Sequence, residues 1–232
     1  MRYKNKDGGE VYAGSVVAAS LGLLAFMLAF TFNIAANRFS DRKQLLLDEV
    51  NSIGTTYLRA DFLPDTPADE TKKLLREYVD LRVSLAERDM WMKPENIREL
   101  INRSDSIHSK LWAQIVPVGI QNPDSEIIGL FISSLNELID LQTERIVVAL
   151  QYHIPGTIWG ALYLLSILAF GLVGYELGAA QSGSVLVSVI MAITFSTVIL
   201  LITDLDRPLQ GHIMVSHEPV IQLQQKLNLD AR

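Results

Sequence analysis

Apolar and polar positions are sharply segregated along this chain. Three long uncharged apolar runs stand out, at residues 11–37, 154–175 and 184–203, the second predicting a helix over 154–177. A hydrocarbon core about 30 Å thick needs roughly 20 apolar residues at about 1.5 Å rise each. Each run meets that length, so each predicts a membrane-spanning helix. The first is too long for a cleavable signal segment and reads as a retained span. Residues 1–10 form a short polar segment before it, and residues 204–232 a tail after the third.

Between the first two spans, residues 38–153 change period. Leu46, Val50, Ile53 and Tyr57 fall on one helical face, with no Gly or Pro from Arg38 to Ser52. Leu63-Pro64 ends that helix, and Thr66 is placed to cap the next, with Pro67 in its first turn. Leu74, Leu75, Tyr78, Leu81 and Leu85 stripe the second helix. Lys93-Pro94 opens a third, carrying Ile97, Ile101, His108, Leu111 and Ile115, which the Val116–Gly119 phrase is expected to break. Asn122, followed by Pro123 and Asp124, predicts the cap of a fourth helix striped by Ile128, Phe131, Leu135, Leu138 and Ile146. The expected fold is an all-α integral membrane protein with three spans and a four-helix, membrane-proximal bundle inserted between the first and second. A short extended piece at His212 to Val215 is the one strand signal.

The uncharged turn at 178–183 joins the second and third spans as a hairpin, which places bundle and tail on one side of the membrane. Arg38, Arg42 and Lys43 follow the first span closely and favour the cytoplasm for that side, while Arg2, Lys4 and Lys6 pull the other way. The expected location is a bacterial plasma membrane, with bundle and tail cytoplasmic.

Composition narrows the function. The mean hydropathy of +0.24 is high for a soluble domain. The absence of cysteine removes disulfides, thiol nucleophiles and thiolate metal sites. A net charge of −6 argues against nucleic acid as a partner. His108, His153, His212 and His217 lack the spacing of a metal site, and no nucleophile, phosphate loop or paired-carboxylate site stands out. No enzyme, cofactor or small-molecule substrate is expected. The partners expected are lipid, inorganic ions and further copies of the chain.

Candidate chemistry lies mainly in the spans. Gly14, Ala18, Gly22, Ala25 and Ala29 recur at helical spacing and continue to Asn33, which suits close helix packing. Phe26 and Phe30, one turn apart on the same helix, suit either packing or an apolar ring that gates a pore by dewetting. In the third span Ser184, Ser188 and Ser196, with Thr194, Thr197 and Thr203, supply hydroxyls that either bond back to the helix or line a conduction path. Asp204, Asp206 and Arg207 stand at the membrane edge, either as an ion pair or as charge around a pore mouth. In the bundle, Glu49 and Asn51 on the first helix, and Asn136 and Asp140 on the fourth, form a polar face expected to register the helices. Pore candidates are thus Phe26, Phe30, Asn33, Ser188, Ser196 and Thr203.

Several phrases together resemble a bacterial membrane family labelled bestrophin-like: Glu49 to Pro64, Tyr78 to Arg82, Asn136 to Arg145, Asp204 to Pro208 and Ser216 to Pro219. The resemblance implies a relation to bestrophins, pentameric anion channels with hydrophobic pore necks. This chain departs from them in showing three spans rather than four and no run of acidic calcium ligands. The leading expectation is a homo-oligomeric channel lined by the first and third spans. The competing class is a non-conducting membrane scaffold or sensor whose bundle binds a partner.

Overall fold

A computed structural model describes residues 6–84, 94–180, 184–207 and 212–230 of the chain. Every regular element among the described residues is helical: α1 (Lys6–Arg59), a short 3-10 turn (Ala60–Phe62), α2 (Asp65–Ser84), α3 (Pro94–Gln121), α4 (Glu126–Leu150), α5 (Gly156–Ala180), α6 (Val185–Asp206) and α7 (Glu218–Asp230). They form two compact units. One comprises residues 1–40 and 152–214, the other residues 41–151 and 215–232.

The first unit holds the segments long and apolar enough to cross a membrane: the early part of α1, α5 from Gly156 to Gly178, and α6. At 54 residues α1 extends about 80 Å, more than twice a hydrocarbon core. One stripe of α1, with Leu24, Leu28 and Ala35, packs on Leu162 and Ala169 of α5 and on Ile202 and Leu205 of α6. Phe170 and Phe195 meet edge to face at 5.7 Å. Most of the remaining surface of α5 and α6 is exposed and apolar, as lipid contact requires. The turn at 178–183 and Pro208 lie partly or wholly outside the described residues.

The second unit has a core of the kind found in soluble helical proteins. Leu46, Ile53 and Tyr57 of α1, Leu75 and Tyr78 of α2, Leu111 and Ile115 of α3, and Phe131, Leu135 and Leu138 of α4 bury together. These are the stripe positions read from the sequence. Leu85 and Lys93 fall outside the described residues.

Four local expectations are corrected. Pro117 does not break α3, which runs on to Gln121. Proline removes the N–H that would reach Ala113, but both residues lie on the exposed side, where water can take the free carbonyl. Burial of Ile115 and Val118 offsets the rest of that cost. Asn122 does not cap α4: its Nδ2 donates to the Val118 carbonyl at 3.0 Å and closes α3, while the Ser125 hydroxyl accepts the Ile128 N–H and opens α4. Thr66 lies inside α2, whose first turn closes from the Ala68 N–H to the Pro64 carbonyl. Residues 212–215 form no strand, and the tail continues into α7. Val220, Leu223 and Leu227 of α7 join the second unit's core at i, i+3, i+7 spacing.

Candidate functional site

In the first unit, the spanning part of α1 has two unlike faces. At 100° per residue, Val17, Leu24, Leu28, Thr31 and Ala35 share one side and are buried in the chain. Ala18, Gly22, Ala25, Phe26, Ala29, Phe30 and Asn33 share the other, and all are exposed. Phe26 is 66% and Phe30 54% exposed. The expectation that the small residues serve close packing holds within the chain only at Gly14, where an added Cβ would lie 3.0 Å from Glu176 Oε1. No atom would approach a Cβ at Gly22 within 4 Å.

The hydroxyls of α6 divide. Thr194, Thr197 and Thr203 each bond back to the carbonyl four residues earlier, at 2.9, 2.8 and 2.8 Å. That is the intrahelical role open to any hydroxyl in hydrocarbon. Ser188 Oγ is buried without a hydrogen-bond partner, and Ser196 is exposed.

The edge charges are tied into local architecture. Asp204 Oδ1 accepts the His212 N–H at 2.7 Å and Oδ2 the Ile213 N–H at 2.8 Å, so this carboxylate folds the segment after α6. Buried Asp206 accepts the Ile154 N–H at 2.9 Å, just before α5, and Arg38 Nη1 stands 3.6 Å from it. The ion-pair partner is therefore Arg38 and not Arg207, which is exposed. A carboxylate bridging the entry of one span and the exit of another replaces backbone hydrogen bonds that lipid cannot offer.

The second unit contains a buried ionic network that sequence reading did not assemble. Glu49, fully buried on α1, is its hub. Tyr78 Oη donates to Glu49 Oε1 at 2.6 Å, Arg82 Nε donates to the same oxygen at 3.0 Å, and Arg82 Nη2 donates to Oε2 at 2.9 Å. Arg145 of α4 brings Nε to 3.2 Å from Oε2. The His108 ring packs against Tyr78 at 4.9 Å. Thus α1, α2 and α4 meet on one carboxylate, with α3 supplying a flanking imidazole.

Burial opposes ionisation of Glu49, but Arg145 and Arg82 outweigh it and hold the carboxyl at about 2. Burial drives the Tyr78 phenol up, and the Glu49 charge drives it further. His108 is pushed down to about 4 by burial, with Asp105 and Glu49 opposing. Burial, then Arg82 and Arg145, lower His217 as well. The network is one carboxylate, two guanidiniums and neutral imidazoles.

Of the residues expected to register the bundle, only Glu49 does so. Asn51, Asn136 and Asp140 are exposed, because each lies on the opposite side of its helix from the core stripe. The missed signal was a charge inside an apolar stripe: Tyr78 and Arg82 are one turn apart, beside Leu75, Val79 and Leu81. Among the described residues no group of three or more His, Asp or Glu is placed to hold a metal ion.

Comparisons with known proteins fit this architecture. The bestrophin-like domain model matches residues 7–220. A bacterial bestrophin homologue from Klebsiella pneumoniae, solved with a point substitution, is structurally similar with a TM-score of 0.68 at 16% sequence identity, covering 92% of this chain and 87% of that one. No curated protein matches the sequence. With most of its length matched by that domain, and with the helical fold to go with it, this chain belongs to the bestrophin-like family.

Proposed function

We propose that this chain is a subunit of a homo-oligomeric ion channel with its pore lined by α1 and α6. Bestrophins are in general ion channels, which sets the class. The observation that carries the reading is the unburied face of α1. Its small residues permit close approach by another copy, and Phe26 and Phe30 offer a narrow apolar ring where ion dehydration sets the barrier. Asn33 continues that face, and Ser188, Ser196 and Thr203 are the α6 contribution. Asp204 and Asp206 brace the chain at the proposed pore mouth, and Arg207 completes the set. The division into spans at 11–37, 154–177 and 184–203, with bundle and tail on the cytoplasmic side of a bacterial plasma membrane, belongs to the same reading.

Purified protein in a planar bilayer tests it. Single-channel steps are expected, and Phe26→Ser and Phe30→Ser should raise conductance by wetting the constriction. Asp204→Asn should instead shift ion preference through local ion concentration, while also depriving the Ile213 N–H of its acceptor. Silence across salts and pH would favour a membrane scaffold or sensor. For topology, a cysteine at Ser182 should react with an impermeant thiol reagent from outside the cell and one at Asp65 should not. The reverse pattern would invert the orientation.

A further inference from the structure

His217 stands at the start of α7, where its carbonyl accepts the Val220 and Ile221 N–H groups at 3.0 and 3.2 Å and caps the helix. Its ring Nδ1 is buried and has no hydrogen-bond partner. The charges that act on this ring come from three other helices: Arg82 of α2, Arg145 of α4 and Glu49 of α1. Glu49 is already engaged by Tyr78, Arg82 and Arg145. On α7 itself Glu218 is exposed and accepts the Gln222 amide at 3.0 Å. A neutral imidazole fits this place. An imidazolium carries donors on both nitrogens, and Nδ1 has no acceptor here. It would also meet two guanidiniums against one carboxylate, at a helix end where the backbone dipole is already positive.

The rest of α7 is held without an imidazole. Leu223 and Leu227 bury in the second unit's core, Gln224 donates to Asp80 at 2.7 Å, and Asp230 stands 3.9 Å from Lys72. The docking of the first turn, from His217 to Val220, is therefore the part that a proton on this ring opposes. We propose that His217 is a proton-sensitive latch: protonation of its ring releases the first turn of α7 from the second unit and lengthens the free chain between α6 and the part of α7 that stays docked. The device lies in the tail and does not depend on whether the chain conducts.

The chain contains no cysteine, so a single Val220→Cys reports the latch. Val220 is 1% exposed, and a thiol there should react slowly with a methanethiosulfonate reagent while the turn is docked. Rates in the full chain in detergent are divided by those of Leu229→Cys, a position 70% exposed, which removes the pH dependence of the thiol chemistry. From pH 7.5 to pH 5 the normalised rate should rise by up to about 30-fold, the ceiling for releasing an imidazole that titrates near 6.5 once free. His217→Phe has no charge to gain and should hold the ratio flat, and His217→Gln decides the matter should the larger ring not fit. His108→Phe should leave the rise intact, which separates the latch from the acid response of the core. A ratio unchanged at pH 5 in the chain with its native histidines would overturn the proposal. So would a rise that survives the His217 substitutions or disappears in His108→Phe.

Discussion

The two units of this protein solve opposite solvation problems with the same secondary structure. In the first, large apolar side chains such as Ile167 and Val185 are 70% and 77% exposed, and the polar groups at the edge bond to backbone or to one another. In the second, the apolar residues converge inward and a full carboxylate with two guanidiniums sits among them. Lipid makes an unsatisfied backbone group the main expense and leaves apolar exposure free. Water reverses this, so the second unit can present Asn51, Asn136 and Asp140 outward while its specificity comes from one buried cluster.

That contrast is most exposed to test at Glu49. Glu49→Leu removes the hub and leaves two guanidiniums buried, so a loss of about 3–5 kcal/mol in the second unit's stability is expected in thermal or denaturant melts. Replacing Glu49, Arg82 and Arg145 together with apolar residues of similar volume should recover much of that loss. If Glu49→Leu melts like the wild type, the cluster is not the anchor of the unit.

Acid should act mainly on the second unit. His108 has a folded-state value near 4, below the ordinary value of about 6.5, so the unfolded chain takes up its proton first. Stability is therefore full above about pH 6.5 and falls as pH drops through 4, by up to ~3 kcal/mol. Glu49 adds a further loss only below about pH 4.5, where the unfolded carboxyl protonates and the folded one does not. A melting series from pH 8 to 4 should show this loss, and His108→Phe should remove most of it, the remainder belonging to half-buried His217, whose value is also lowered by burial. A series unchanged by that substitution would assign the acid response elsewhere.

The edge of the first unit should respond less to substitution. Asp206→Ala frees the buried Ile154 N–H and unpairs Arg38, a change of about 1–3 kcal/mol. Arg207→Ala should stay within about 0.5 kcal/mol, being exposed. Equal effects from the two would restore Arg207 as the partner. The smallest effect expected is from Asn51→Ala and Asp140→Ala, which should leave the melt nearly unmoved and act additively, since both are exposed.

Much of the fold was legible because membrane and core impose periods on the chain. The three apolar runs, the stripes through Ile53, Leu75, Leu111 and Leu135, and the α1 face carrying Phe26 and Phe30 all follow from 3.6 residues per turn and from how apolar a segment is. The stripe through Val220, Leu223 and Leu227 was equally regular, yet α7 went unread because a short polar tail gives little weight to three positions. The residues from Glu49 to Pro64 and from Asn136 to Arg145 carried the family; Glu49 was expected to register the helices, but nothing pointed to Arg145 as one of its partners.

What only tertiary structure decided was pairing. Polar side chains carry no periodicity that names their partner, so nothing local links Glu49 to Arg82, 33 positions away, or Ile154 to Asp206, 52 away. The same holds for Pro117 and Asn122, where an exposed carbonyl and a buried stripe overrode the local signal to stop a helix. The sequence determined which segments meet lipid and which meet water, because burial free energy sums over many residues and outlasts any single exception. The choice of which charge meets which, and of which face of α1 stays uncovered, depends on distances set only when distant helices pack.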